Sequence, residues 1–282
     1  MSFPDTQATL ILRLSRGGSD ADWQQFLADY WRPIARFAAR IGSLPLDQAE
    51  DVAGETFLIL VRSPLFARWQ AERTGRLRGL LCGVVRNVLS NRRRVEKGRQ
   101  RILAAAADAG GIPDALEVSP SAEPATEDID TFYRAWVDEL LFRTMRELLE
   151  EFQSAGRGDY FRALYGKICE ELTAAEIAAA LEIPVTSVEN YIRAAKARLS
   201  QRLEEEVMAH VKRYSPAETI RAEFEGEWSR LRQHLEKFGG LEETIRQEAA
   251  SLDSLPRNLG DSPSFVATRS QLRQEAAKRN DL

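Results

Sequence analysis

The chain has 282 residues, enough for two or three small domains. Its hydrophobic fraction of 44% and charged fraction of 29% are those of a soluble globular protein. Apolar runs such as Leu10 to Leu12 and Phe57 to Val61 are too short to span a bilayer, and the start lacks a basic-plus-apolar leader, so a cytoplasmic protein with no membrane partner is expected.

A net charge of −4 argues against a protein that coats nucleic acid indiscriminately, but the charges are unevenly placed. Arg86, Arg92, Arg93, Arg94, Lys97, Arg99 and Arg101 crowd one segment, with Glu96 opposing them. From Ile102 to Tyr133 there is no Lys or Arg, while Asp and Glu accumulate. Cys82 and Cys169 sit in apolar helical contexts and read as buried free thiols. With only His210 and His234, a His-rich metal site is not expected, and neither is any cofactor.

The pattern predicts an all-α chain, since no alternating run flanked by turn residues marks a strand. Ser19 or Asp20 starts a helix through Trp23, Phe26, Leu27, Tyr30 and Trp31, and Pro33 predicts a break or kink before a further helix to Ile41. Asp47 caps the next helix, whose stripe is Ala49, Val52, Ala53, Thr56, Phe57, Leu60 and Val61, and Pro64 ends it. Residues 63–75 read as an irregular loop holding Phe66 and Trp69. A long helix then runs from about Arg76 to Arg101 and buries Leu77, Leu80, Leu81, Val84, Val85, Val88 and Leu89. Residues 104–130 are rich in Ala, Pro, Asp, Glu and Ser and read as a poorly ordered acidic linker.

A helix from Asp130 to Gln153 follows, then a Gly-containing break and a helix opened by Asp159 through Phe161, Leu164, Tyr165 and Ile168. Next comes the most informative stretch, 172–192. Thr173 and Glu176 form a capping box, Ile177 and Leu181 share one face, and Pro184 stops the first helix. Thr186 or Ser187 caps the second helix, which buries Val188, Ile192, Ala195 and Leu199. Ser187, Glu189, Asn190, Arg193 and Lys196 face outward. This is the layout of a helix-turn-helix, whose second helix enters the DNA major groove. Beyond Leu203, the residues Ile220, Phe224, Trp228, Leu231, Leu235 and Phe238 keep helical spacing, Gly239-Gly240 stops that helix, a further helix spans 241–252, and 256–282 are expected to fray.

Two pieces on either side of the acidic linker resemble one family. The first is Ala49-Glu50-Asp51-Val52-Ala53-Gly54-Glu55-Thr56-Phe57-Leu58, followed by Leu77-Arg78-Gly79-Leu80-Leu81 and then Val84 to Arg94; the second is the helix-turn-helix, from about Tyr160 to Leu203. Together they resemble the two domains of the extracytoplasmic-function sigma factors of bacterial RNA polymerase. The resemblance covers roughly Ala21 to Leu203 and implies a region 2-like bundle over residues 1–103, the linker over 104–130, a region 4-like helix-turn-helix over 131–203, and a helical extension over 204–282.

The resemblance implies a promoter-specificity subunit whose partners are core RNA polymerase, through the largest-subunit clamp helices and the flap, and promoter DNA. Glu50, Asp51, Glu55, Leu58 and Ile59 would dock on polymerase. Phe66, Trp69, Arg86, Asn87, Asn91, Arg92 and Arg94 would recognise and open the −10 element, which requires phosphate neutralisation and a pocket for an extruded base. Ser187, Glu189, Asn190, Arg193, Lys196 and Arg198 would read the −35 element. Asn190 suits adenine, Arg193 suits guanine, and Lys196 and Arg198 suit phosphates. Gly54, Leu80, Asn91, Glu182, Glu189 and Ala194 depart from the usual pattern, which leaves the promoter sequence open.

The alternative reading is a free-standing helix-turn-helix regulator that acts without polymerase. An enzyme is not expected, since the chain has no phosphate loop, metal-ligand cluster or nucleophile beside a base. The extension after Leu203 must bury its apolar stripe, by folding back and restraining the DNA-reading parts, by binding another protein, or in a hairpin of its own. It could take the place of an anti-sigma factor.

Overall fold

The computed structural model describes residues 9–72, 77–105 and 125–253, and these are helical with no strand among them. The expectations for 106–124 and for 256–282 lie outside the described residues. The chain divides into two units, Met1–Trp136 and Val137–Leu282.

The first unit holds α1 (Leu10–Ser15), α2 (Asp20–Gly42), α3 (Leu46–Arg62), α4 (Leu65–Glu72), α5 (Leu77–Ala105) and the opening turns of α6 (Thr126–Ser154). Ser19 caps α2 in a full capping box: its hydroxyl accepts from the Asp22 N–H, and the Asp22 carboxylate accepts from the Ser19 N–H at 3.0 Å. Asp22 also accepts from Arg13 of α1 at 2.7 Å. The break expected at Pro33 does not occur, and α2 runs through it. Proline in a helix interior costs about 3 kcal/mol, but Phe26, Tyr30, Ile34 and Phe37 are fully buried on either side of it, each contributing about 1.5–3 kcal/mol. Side-chain packing outweighs the lost backbone bond.

Phe26 is the hub of this core. Its ring lies 5.0 Å from Tyr30, 5.7 Å from Phe57 and 5.3 Å from Phe66, centroid to centroid. Phe66 reaches it from α4, which replaces the irregular loop expected at 63–75; residues 73–75 of that stretch are not described. Asp47 does not cap α3. The helix starts at Leu46 after Pro45, with no side-chain cap, and Asp47 lies in its first turn. Val61 also departs from the buried stripe assigned to it, being 54% exposed.

The linker ends earlier than expected, because residues 126–130 are already helical in α6. These turns are fixed to the first unit by named contacts. Asp128 pairs with Arg86, its carbonyl accepts from the buried Cys82 thiol at 3.7 Å, Phe132 meets Phe37 at 5.3 Å, and the Arg78 guanidinium lies over the rings of Tyr133 and Trp136. Cys82 is a free thiol pushed up to about 12 by burial and by the nearby Asp128 charge, which makes it inert. Cys169 is not in a disulfide and is half-buried.

The second unit holds the rest of α6, α7 (Gly158–Ile168), α8 (Ala174–Leu181), α9 (Val185–Tyr214), a 3-10 turn (Ala217–Thr219), α10 (Ile220–Lys237) and α11 (Leu241–Asp253). Phe161, Leu164, Ile177, Val188, Ala195 and Leu199 form the core of the α7–α8–α9 group. The boundary expected at Leu203 falls inside α9, which continues to Tyr214 with Leu203, Val207 and Val211 buried. Helix α10 packs on α9 and buries Leu231 and Leu235; α11 packs on α7 and α10. The extension therefore folds back on the helix-turn-helix unit. Gly239 and Gly240 make the turn between α10 and α11 with φ of 89° and 96°, angles that L side chains rarely adopt.

Candidate nucleic-acid interface

The helix-turn-helix is built by local chemistry. The Thr173 hydroxyl accepts from the Glu176 N–H at 3.2 Å, and the Glu176 carboxylate accepts from the Thr173 N–H at 2.8 Å, closing the N-terminus of α8. Glu182 ends α8 in the left-handed region (φ 55°), its N–H donating to the Ala178 carbonyl. Pro184 then precedes the first turn of α9. Neither Thr186 nor Ser187 caps this helix, because it begins at Val185 and both residues are already inside it. Proline takes that position readily, since the first N–H groups of a helix have no internal partner.

Val188, Ala195 and Leu199 are buried and Ile192 is half-buried, which fixes the rotation of α9 about its axis. Glu189, Asn190 and Arg193 are exposed, and Ser187 is half-buried. Arg193 donates to the Asn190 side-chain oxygen at 3.3 Å, so the two groups suited to base edges lie together. Two cations assigned to phosphate are engaged inside the protein. Lys196 pairs with Glu242 of α11 at 2.6 Å. Arg198 donates to both oxygens of Glu151 at 2.6 and 2.8 Å and to Glu205 at 3.1 Å. The Arg198 pair holds the Glu151 carboxyl below its ordinary value.

Sequence reasoning missed Glu151, Glu242 and Arg202, which also donates to Glu151 at 3.1 Å. The spacing of Arg198, Arg202 and Glu205 along one helix was visible. The partners on α6 and α11 come from distant parts of the chain and had no local signal. It also missed Tyr191, whose ring stacks on Tyr160 with centroids 4.1 Å apart; Tyr160 stacks in turn on Phe152.

In the first unit, the groups assigned to the −10 element divide. Asn87 and Asn91 are half-buried and Arg94 is exposed on α5. Arg86 pairs with Asp128 at 2.7 Å. Arg92 donates to Glu55 at 2.7 Å and to the Gln48 carbonyl at 3.4 Å. Phe66 is a core ring, 2% exposed, and has no free face for a base. Trp69 is half-buried on α4, and its buried indole N–H has no hydrogen-bond partner among the described residues.

On α3, Asp51, Glu55 and Leu58 are exposed, Leu58 at 50%, while Glu50 and Ile59 are half-buried. The spacing 51, 55, 58 keeps the two carboxylates and the leucine on one face. The Glu55–Arg92 pair joins this face to α5. Among the described residues no group of three or more His, Cys, Asp or Glu could hold a metal, and no helix is long and apolar enough to cross a membrane. No family model matches the chain, and no curated protein or solved structure matches it.

Proposed function

We propose that this protein is a promoter-specificity subunit of bacterial RNA polymerase, a sigma factor of the extracytoplasmic-function type. The observation that carries the reading is the α8–α9 helix-turn-helix with Asn190 and Arg193 side by side and exposed on its second helix. In this role α9 reads the −35 element in the major groove, Asn190 pairing with adenine and Arg193 with guanine. Helix α5, with Asn87, Asn91 and the exposed Arg94, contacts the −10 element, and Trp69 lies on the helix before it. The exposed acidic and apolar face of α3 (Asp51, Glu55, Leu58) docks on the clamp helices of the largest subunit. Polymerase does the chemistry, and the chain acts without a cofactor.

The test is transcription with core polymerase on a promoter library. Initiation that depends on the protein and selects a common −10 and −35 pair is expected. Tight binding of the isolated protein to duplex DNA with no such initiation overturns the reading in favour of a free-standing helix-turn-helix regulator.

A further inference from the structure

Between Ser187 and Arg202 the second helix of the motif carries four cations: Arg193, Lys196, Arg198 and Arg202. Three of them are held by carboxylates of the same protein. Glu151 of α6 takes the Arg198 fork with both oxygens and also accepts from Arg202. Glu205 adds a second acceptor for Arg198, at 3.1 Å, and approaches Arg202 at 3.6 Å. Glu242 of α11 holds Lys196 at 2.6 Å. A guanidinium bound through two parallel N–H···O bonds presents to a carboxylate the same planar fork it would offer a phosphate. Arg198 and Arg202 are only about a quarter exposed, so little of either is left for a second anion. Arg193 is the exception: its partner is the neutral Asn190 side chain. Beside it stands Glu189, exposed and repulsive to phosphate.

We infer that Glu151 and Glu242 are internal counter-ions that mask the backbone-binding charge of α9, so that the helix meets DNA as a nearly neutral, base-reading face. The inference rests on the part of the functional reading that places α9 in duplex DNA. It adds two determinants of specificity that never touch the nucleic acid. Phosphate contacts supply affinity without sequence information, and base contacts supply the choice. A helix that keeps Asn190 and Arg193 exposed while its other cations are neutralised gives up general affinity and retains discrimination. The two masks come from opposite sides in sequence, one before the motif and one from the extension after it. That gives the α10–α11 hairpin a specific role: it delivers Glu242 to Lys196.

The linkage between phosphate contacts and salt makes this measurable, since each contact adds about −0.9 to the slope of log K against log [salt]. The experiment measures binding of the full-length protein to a mixed-sequence duplex over a salt series, by fluorescence anisotropy. Glu242→Gln is expected to steepen the slope by about one contact and Glu151→Gln by about one to two, since Glu205 still faces Arg198 and Arg202, with tighter binding at low salt in both. Glu242 is more than half exposed, so its variant folds even if the Glu151 variant is weakened, and circular dichroism checks both. Slopes equal to the parent in folded variants, or no duplex binding before or after the substitutions, overturn the inference. Initiation with core polymerase is read on the same preparations. Variants that initiate with unchanged slopes overturn the masking alone; steeper slopes in proteins that never initiate uphold the masking and overturn the sigma reading.

Discussion

The Tyr191 ring lies on the Tyr160 ring, with centroids 4.1 Å apart and planes 18° from parallel. Tyr191 follows Asn190 directly, so the stack adds to the buried stripe in holding the rotation of the Asn190–Arg193 face of α9 against α7. Stacked aromatic pairs are worth about 0.5–1.5 kcal/mol beyond the area they bury. Tyr191→Phe keeps the ring and is expected to leave stability nearly unchanged. In a cycle of Tyr160→Leu, Tyr191→Leu and the double variant, urea unfolding is expected to show coupling of about 1 kcal/mol. Strictly additive losses would mean that the rings are neighbours without being partners.

If α9 lies in the major groove as proposed, Arg193 is its cation best placed to read a base. Arg193→Ala is expected to weaken binding to the selected −35 duplex by about 1–3 kcal/mol and to relax the choice at one base pair. The measurement is competition among duplexes substituted one position at a time. Equal loss across every duplex would make Arg193 a phosphate contact and move base reading to Asn190 alone.

Glu182 holds a left-handed conformation at the turn between α8 and α9, with φ of 55°. A residue with a Cβ is disfavoured there by roughly 1–2 kcal/mol, because the Cβ approaches the following carbonyl. Glycine removes that cost but gives the unfolded chain more freedom. The net expectation for Glu182→Gly is stabilisation by about 0.5–1 kcal/mol, read as a higher thermal midpoint with DNA binding retained. A lower midpoint would show that the Glu182 side chain contributes something its backbone geometry hides.

What was legible in the sequence was local. The helix start at Ser19, the capping box at Thr173, the αα turn at Glu182–Pro184 and the Gly239-Gly240 stop all depend on residues within a few positions of each other. Composition and period gave the all-α class for the same reason. The misreadings have a common cause in packing between distant segments. Pro33 reads as a break or a kink, and the helix is not broken there, because buried rings on both sides carry α2 through it. Phe66 reads as a loop aromatic, but Phe26, forty residues earlier, draws it into the core. Among the candidate site residues, Asn190 and Arg193 are where periodicity places them. The engagement of Arg86, Arg92, Lys196 and Arg198 by Asp128, Glu55, Glu242 and Glu151 needed the tertiary structure.

Gly54 stands in the middle of α3, where the sequence suggests an unusual residue. A Cβ built there meets only the Trp31 ring edge at 3.7 Å, an ordinary contact. Glycine in a helix interior costs about 1 kcal/mol relative to alanine. Gly54→Ala is therefore expected to stabilise the first unit by about that amount, with no change in promoter choice. Chemical denaturation monitored by Trp fluorescence would test it. Destabilisation would mean that α2 and α3 approach more closely during folding or function than the structure shows.

Two carboxyl groups are shifted in opposite directions, and each makes a separate prediction about pH. Asp22 is held at about 2, below its ordinary 3.8, first by the Ser19 backbone N–H and then by Arg13. A depressed carboxyl stabilises the folded state above its ordinary value, and the gain disappears as pH falls through the folded value. The difference in thermal midpoint between the parent and Asp22→Asn should be fully developed above pH 4 and should shrink between about pH 4 and pH 2. Glu147 is shifted upward, mainly by burial and next by the nearby Glu206 charge. Its ionisation opposes folding, so its neutral form is favoured at low pH and the cost grows as pH rises past its ordinary 4.5. Glu147→Gln should therefore raise the midpoint at neutral pH and lose that advantage as the parent is acidified toward pH 4. A gain that stays constant with pH would trace instead to packing of the amide, since only a titrating carboxyl can make the advantage fade.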